Sequence, residues 1–361
     1  MKIALVLGAG GIVGHAYHSA VLAAINRATK WEPNDADVII GTSAGSGIGA
    51  VVRGGGEPSE LISRVLEAPS NPEVMERLER MTTPEPRSSV TSFLPLPASV
   101  PLALKSLIPP WDIQVGPFLA GMLWEGRVHT SVMGEHARAL HGSEWPDREL
   151  WICATRLSDG ELVVFGSDDA PPTDVGTAVE ASCAIPTYFR QVEIDSERYV
   201  DGGVISPTNA HLLAGRDLDL VVAIAPMSGT TGAARAFPPM GRGFFARRLR
   251  SELAPIEAAG IPTLIFEPTL DETRVMGFNP MDPGKRVQVM LQSGASALRF
   301  LARPANEQHV EILRKAAADP PSLPPARGRE GTADAAAARP APDQPPRSAE
   351  NARPGEQPWS A

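Results

Sequence analysis

The apolar run Val38-Ile39-Ile40 leads directly into Gly41-Thr42-Ser43-Ala44-Gly45, and no other segment constrains its own backbone so tightly. A short buried strand ends there, and a G-x-S-x-G sequence forces the chain to turn sharply into a helix. Gly41 and Gly45 let the backbone crowd around the turn and leave the Ser43 hydroxyl exposed at its apex. Ser46-Gly47-Ile48-Gly49-Ala50-Val51-Val52 can begin the helix. An alcohol held at that point meets the positive end of the helix dipole and nearby backbone N–H groups. The plainer reading is a Gly/Ser-rich turn without chemistry, because so loose a pattern recurs by chance. The rest of the chain decides between them.

The bulk properties set outer limits. With 361 residues, 43% hydrophobic and 21% charged, most of the chain is expected to fold around a core, as one large domain or two ordinary ones. A net charge of -9 argues against nucleic acid as a general partner. Cys153 and Cys183 are the only cysteines, too few for a disulfide framework and without zinc-site spacing, so buried reduced thiols are expected. Met1 to Leu7 is too short for the apolar segment of a signal peptide and reads as a first strand. No run approaches the about 18 apolar residues of a membrane span. A cytoplasmic location is the expectation.

Strands are expected over Lys2–Leu7 and Ala36–Ile40, with a glycine loop and a helix from about Gly14 to Ala28 between them. That order suggests a parallel β-α-β unit. Glu57 to Arg80 reads as a polar helix. From about 82 to 125, repeated prolines interrupt an apolar stretch, which implies an irregular subdomain packed on the core or an apolar lid over a pocket. Leu150–Thr155 and Leu162–Phe165 form a hairpin around Asp159-Gly160. Asp174–Ala184 reads as a helix stopped by Pro186, Leu218–Ala225 and Pro262–Phe266 as buried strands, and Arg286–Leu301 as a helix with Val287, Met290, Leu291, Leu298 and Leu301 on its apolar face. Phe244 to Arg250 combines aromatics with cations. A surface helix packing Phe244, Leu249 and Leu253 inward is the first reading, and a membrane-interface helix the second. Residues 1–318 would form the folded domain and 319–361 a disordered tail rich in Pro and Ala.

Two further segments bear on chemistry. Gly8-Ala9-Gly10-Gly11-Ile12-Val13-Gly14 follows the first strand. It can be a dinucleotide-binding loop, although the third glycine of that pattern is displaced by Val13. It can also be an oxyanion hole, with the Gly10 and Gly11 N–H groups facing an oxygen that becomes negative; losing one such donor costs about 3 kcal/mol. If the first two strands are adjacent and parallel, this loop and Ser43 emerge at the same sheet edge. Asp201-Gly202-Gly203 can place a carboxylate to take a proton from Ser43, or can be a tight hairpin turn, which Asp-Gly favours.

A glycine loop, G-x-S-x-G and D-G-G in this order resemble the patatin-like phospholipase family. Ala181-Ser182-Cys183-Ala184-Ile185-Pro186 is similar to the family's A-S-x-x-x-P segment, and Cys153-Ala154-Thr155 with Asp159-Gly160-Glu161 to its strand and hairpin. The resemblance covers roughly residues 1 to 230 and, more loosely, extends to about 310. It implies an α/β fold, a three-layer α/β/α sandwich on a mainly parallel sheet. It implies hydrolysis of acyl esters, mostly in lipids, by a Ser–Asp dyad without metal or other cofactor. By residue match Ser43 would be the nucleophile, Asp201 the base, Gly10 and Gly11 the oxyanion hole, and Gly41 and Gly45 the elbow. The partner would be a lipid or other acyl ester, with transient membrane-surface contact as a secondary expectation. The family's glycine loop is usually G-G-G-x-[RK]-G. Here Ala9 replaces the first glycine and Val13 the basic residue, which bears on the choice between phospholipid and neutral ester. His15 and His18 nearby read as helix-surface or packing residues. A Ser-Asp-His triad through His211 or His309, a nucleotide-binding protein, and a catalytically silent lipid-binding protein are the competing readings.

Overall fold

The computed structural model describes residues 1–67, 76, 126–230, 232–233 and 241–321. The insertion expected at about 82–125, the end of the polar helix expected to reach Arg80, and the tail from 322 lie outside the described residues. The chain divides into Met1–Leu323 and Pro324–Ala361, and every described element belongs to the first.

The strands are β1 Ile3–Leu7, β2 Val38–Thr42, β3 Glu149–Arg156, β4 Leu162–Phe165, β5 Val192–Ile194, β6 Glu197–Asp201, β7 Leu220–Ile224 and β8 Thr263–Phe266. They form one sheet in the order β5-β6-β3-β2-β1-β7-β8, with β4 paired to β3. The run from β3 through β2, β1 and β7 to β8 is parallel, and the pairs of β3 with β4 and β6, and of β5 with β6, are antiparallel. β1, β2 and β7 are buried at every position, as uninterrupted apolar strands must be when both faces of a parallel sheet are covered.

Alternation along these strands separates two cores. Leu5, Leu7, Ile39, Ile152, Val222 and Ile224 face one of them. There they pack with α1 Gly11–Thr29, α2 Ala44–Arg53, α3 Pro58–Glu67, α4 Ser131–His141, α5 Val175–Ser182, α7 Leu270–Met276, α8 Arg286–Leu301 and α9 Glu307–Ala318. Ala4, Val6, Val38, Ile40, Val221 and Ala223 face the other, against Leu249, Leu253 and Ile256 of α6 Arg242–Ala258 and against Ala210 and Leu213. The result is an α/β/α sandwich. Each fully buried Leu, Ile or Val stabilises it by about 1.5–3 kcal/mol, so the sheet is a stiff platform for the loops at its edge.

Strand register brings two distant segments together. Cys153 of β3 pairs with Thr42 of β2 on one side and with Val164 of β4 on the other. Ala154 pairs with Val163 of β4 and with Asp201 of β6. The β4 partners share one edge of β3, so Thr42 and Asp201 share the opposite edge. β2 and β6 therefore run toward each other along β3 and end head to head, and the next residue after β2 is Ser43.

Several boundaries differ from the sequence expectation. β2 runs to Thr42 because Gly41 and Thr42 still pair with Ile152 and Cys153. α1 begins at Gly11, so the glycine loop supplies the first turn of the helix. Asp201-Gly202-Gly203 is no hairpin turn: Gly202–Val204 is a single 3₁₀ turn closing β6. Leu249 and Leu253 are buried as expected, but Phe244 is 48% exposed. Phe244 lies five residues before Leu249, about 140° away around the helix; Phe245, four before it, lies nearer the buried stripe. Leu291 is likewise exposed, and Val289, Met290, Ser293, Ala297 and Leu301 form the buried stripe of α8. Pro321, within the segment read as tail, accepts a hydrogen bond from Arg148 Nη2 at 2.9 Å.

Candidate active site

Ser43 sits between β2 and α2 with φ 54° and ψ −122°. A non-glycine residue in such a conformation costs on the order of 1–3 kcal/mol, and the surroundings must impose it. The Ser43 N–H donates to Ser182 Oγ at 2.9 Å, and the Ser182 hydroxyl donates to the Cys153 carbonyl at 2.7 Å. The Ser43 carbonyl accepts from the Ser46 N–H at 2.9 Å and the Ser46 hydroxyl at 2.7 Å. Just before it, the Thr42 hydroxyl accepts from Asn209 Nδ2 at 3.0 Å. The turn also needs close approach to β1: a Cβ added to Gly45 would lie 1.9 Å from the Leu7 carbonyl oxygen.

Asp201 closes β6. Its N–H donates to the Ala184 carbonyl at 3.0 Å, and its own carbonyl accepts from the Thr155 hydroxyl at 3.2 Å. Its carboxylate accepts the Gly203 N–H at 2.7 Å and lies close enough to the Ser43 hydroxyl for that group to lower its pKa. Asp201 is 5% exposed, and burial pushes its pKa up to about 6 against the opposing influence of Gly203 and Ser43.

The glycine loop is held on both sides. Gly8 N–H donates to the Ile224 carbonyl at 2.9 Å and Ala9 N–H to the Pro207 carbonyl at 2.7 Å. His18, fully buried on α1, donates from Nε2 to the Gly8 carbonyl at 2.7 Å. A carbonyl only accepts, so the ring proton is on Nε2, and burial lowers the His18 pKa to about 4. Gly11 has φ +61°, and a Cβ there would come 2.7 Å from the Pro280 carbonyl oxygen. Among the described residues, the N–H groups of Gly10 and Gly11 meet no acceptor, whereas Val13 and Gly14 N–H groups are bonded to Pro280 and Gly10. The start of α1 and the start of α2 adjoin: a Cβ on Gly14 would lie 3.9 Å from that of Ala44.

Beside Ser43 opens a cavity of about 240 Å³, lined by Gly11, Ala44 and the apolar side chains of Val51, Leu61, Val132, Val179, Ile185 and Phe189. The sequence model of the patatin-like phospholipase family matches residues 5–214, more than half of the chain. The chain belongs to the patatin-like phospholipase family. Members of that family are hydrolases acting on carboxylic ester bonds. Among solved structures, VipD from Legionella pneumophila aligns at 14% identity and a TM-score of 0.40, over 83% of this chain and 66% of that one. The type III effector protein ExoU aligns at 15% identity and a TM-score of 0.40, over 86% of this chain and 54% of that one. The chain thus spans about two thirds and about half of their lengths. A comparison with curated protein sequences finds no match.

The patatin-like match ends at residue 214 and contains all six residues singled out from the sequence. Ser43, Asp201, Gly10, Gly11, Gly41 and Gly45 lie at one edge of the sheet, the glycine loop following β1 and the serine following β2. His211 is elsewhere, with Nδ1 3.5 Å from the Glu252 carboxylate, and neither it nor His309 lines the cavity. Both cysteines are free and buried. Among the described residues no helix is long and apolar enough to cross a membrane, and no group of three His, Cys, Asp or Glu is placed to hold a metal. Sequence reasoning missed the role of Ser182, whose hydroxyl fixes the Ser43 backbone across 139 residues; its place in the A-S-x-x-x-P segment was the available signal. It also missed the His18 clasp on Gly8 and the position of Arg286 in the cavity wall, for which no local pattern exists.

Proposed function

We propose that this protein is a serine acyl-ester hydrolase acting on lipid-type substrates, with residues 1–318 as the catalytic unit. The observation that carries the reading is the Ser43 hydroxyl close beside a buried carboxylate, Asp201, at the wall of a mainly apolar cavity. Ser43 Oγ attacks the acyl carbonyl carbon as its proton passes to Asp201. The carbonyl oxygen becomes negative and is stabilised by the Gly10 and Gly11 N–H groups, donors that need no reorganisation. The intermediate collapses, the ester C–O bond breaks, and Asp201 returns the proton to the departing alcohol. Water then adds to the acyl-serine with Asp201 taking its proton, and the fatty acid leaves as Ser43 is reprotonated.

The Asp201 pKa of about 6 suits this role. It lies closer to neutrality than an ordinary aspartate, which strengthens the base, yet leaves the group ionised at pH 7. The apolar lining suits an acyl chain, since each buried methylene contributes about 0.8 kcal/mol. A fluorophosphonate probe tests the reading directly: it should label wild-type protein at Ser43 and spare Ser43→Ala. Turnover of p-nitrophenyl esters of graded length should vanish in the same variant. Labelling elsewhere, or a folded Ser43→Ala protein that still hydrolyses esters, would falsify the assignment.

A further inference from the structure

The cavity beside Ser43 holds a charge that the proposed acyl transfer does not use. Arg286, the first residue of α8, lines it and is only 9% exposed. A guanidinium keeps its proton in proteins, so burying one is costly unless something anionic or a carbonyl meets it. Among the described residues nothing does, and burial is what lowers the Arg286 pKa. A buried and a half-buried arginine of the same unit are treated differently. Arg53 donates to the carbonyls of Asn34, Ala36 and Glu149, and Arg242 to those of Pro226 and Ser228.

Its placement relative to the reaction is also constrained. The segment before α8 is packed on the glycine loop, with the Pro280 carbonyl accepting the Val13 N–H at 3.0 Å. Among the described residues no Asp or Glu lines the cavity, so those walls offer Arg286 no negative charge and a ligand can supply one. In an acyl-glycerol lipid, the anion nearest the scissile ester is the phosphodiester of the headgroup. The planar fork of a guanidinium matches phosphate oxygens in pairs.

Resting on the acyl-hydrolase reading, we propose that Arg286 binds the headgroup phosphate and thereby selects phosphate-bearing acyl esters over neutral ones. Arg286 restores to the site a cation that Val13 does not provide.

Two measurements on the full chain test this. The first compares phosphatidylglycerol with diacylglycerol of the same acyl chains, in mixed micelles, for wild type, R286M and R286K. In R286M the ratio of kcat/KM for the phospholipid over the neutral lipid should fall about tenfold or more, mainly through KM, with partial recovery in R286K. The second measures binding to Ser43→Ala protein by calorimetry, with octyl phosphate, octanol and inorganic phosphate as probes. R286M should weaken octyl phosphate about tenfold relative to octanol.

An unchanged ratio, or equal losses on both lipids, would overturn the proposal. So would inorganic phosphate binding as tightly as octyl phosphate, which would mark a site for a free anion. If wild type hydrolyses neither lipid while the binding pattern holds, the acyl-hydrolase reading fails and the anion site stands. Should R286M not melt cooperatively, R286Q is read in the same way.

Discussion

The backbone N–H of Ser43 is held by the hydroxyl of Ser182 at 2.9 Å, and Ser182 in turn donates to the Cys153 carbonyl at 2.7 Å. One side chain thereby ties α5, β3 and the serine turn together. The strained backbone at Ser43 needs such a restraint, because on its own that residue would relax to a common conformation.

Ser182→Ala should therefore lower kcat without touching any reacting atom. It leaves the Ser43 N–H and the Cys153 carbonyl buried and unpaired, at about 1–3 kcal/mol each. A loss of about ten- to a hundredfold in kcat with a modest fall in melting temperature is expected, against near-complete loss for Ser43→Ala. Steady-state kinetics and a thermal melt of both variants check this, and wild-type turnover in Ser182→Ala would contradict it.

Asp201 ties activity to pH and opposes stability. As the proposed base it must be ionised, so kcat/KM should rise with pH through about 6. Its folded pKa is raised above the ordinary 3.8, so its contribution to stability is full below about 3.8 and is lost as pH rises through about 6. Asp201→Asn should abolish turnover yet stabilise the protein at pH 7.5 by on the order of 2 kcal/mol, with the difference shrinking toward pH 4. Denaturant melts at the two pH values decide the matter; a destabilised Asp201→Asn protein at pH 7.5 would contradict it.

His18 works in the other direction. Its folded pKa of about 4 lies below the ordinary 6.5, so its stabilising contribution is present above 6.5 and is lost as pH falls toward 4. His18→Gln, whose amide can still donate to the Gly8 carbonyl, should remove on the order of 3 kcal/mol of acid sensitivity in that window. Parallel pH-dependent melts of wild type and His18→Gln measure it, and identical acid profiles would count against the clasp.

If the acyl chain occupies the cavity beside Ser43, its walls should set chain length. Val132 lines it and is 7% exposed. Val132→Trp should shift preference among p-nitrophenyl esters toward shorter acyl chains, with each excluded methylene costing about 0.8 kcal/mol in kcat/KM. An unchanged chain-length profile would place the acyl group elsewhere.

Truncation after Leu323 keeps Pro321, whose carbonyl is bonded to Arg148. That protein should melt and turn over as the full chain does. A large drop in either would mean that the removed residues contribute to the folded unit.

Local pattern carried much of this. The apolar runs of β1, β2 and β7 read as strands buried on both faces of a covered parallel sheet, while their neighbourhood was fixed only by the fold. The G-x-S-x-G sequence after such a run prescribed the turn at Ser43, since Gly45 must pass within contact of the Leu7 carbonyl. Glycines at 10 and 11 announced a backbone that leaves N–H groups free. Those are short-range constraints of sterics and hydrogen bonding, and they are written in consecutive residues.

What consecutive residues do not encode is which distant strand ends meet. Asp201 reaches Ser43 because β2 and β6 meet head to head along the same edge of β3, a matter of register that no neighbouring residue dictates. The pKa of about 6 at Asp201 and of about 4 at His18 arise from burial by many elements at once. Ser182 and Arg286 acquire their places in the same way: a lone serine or arginine has no periodicity, and packing of the whole unit alone sets the first against the Ser43 backbone and the second in the wall of its cavity.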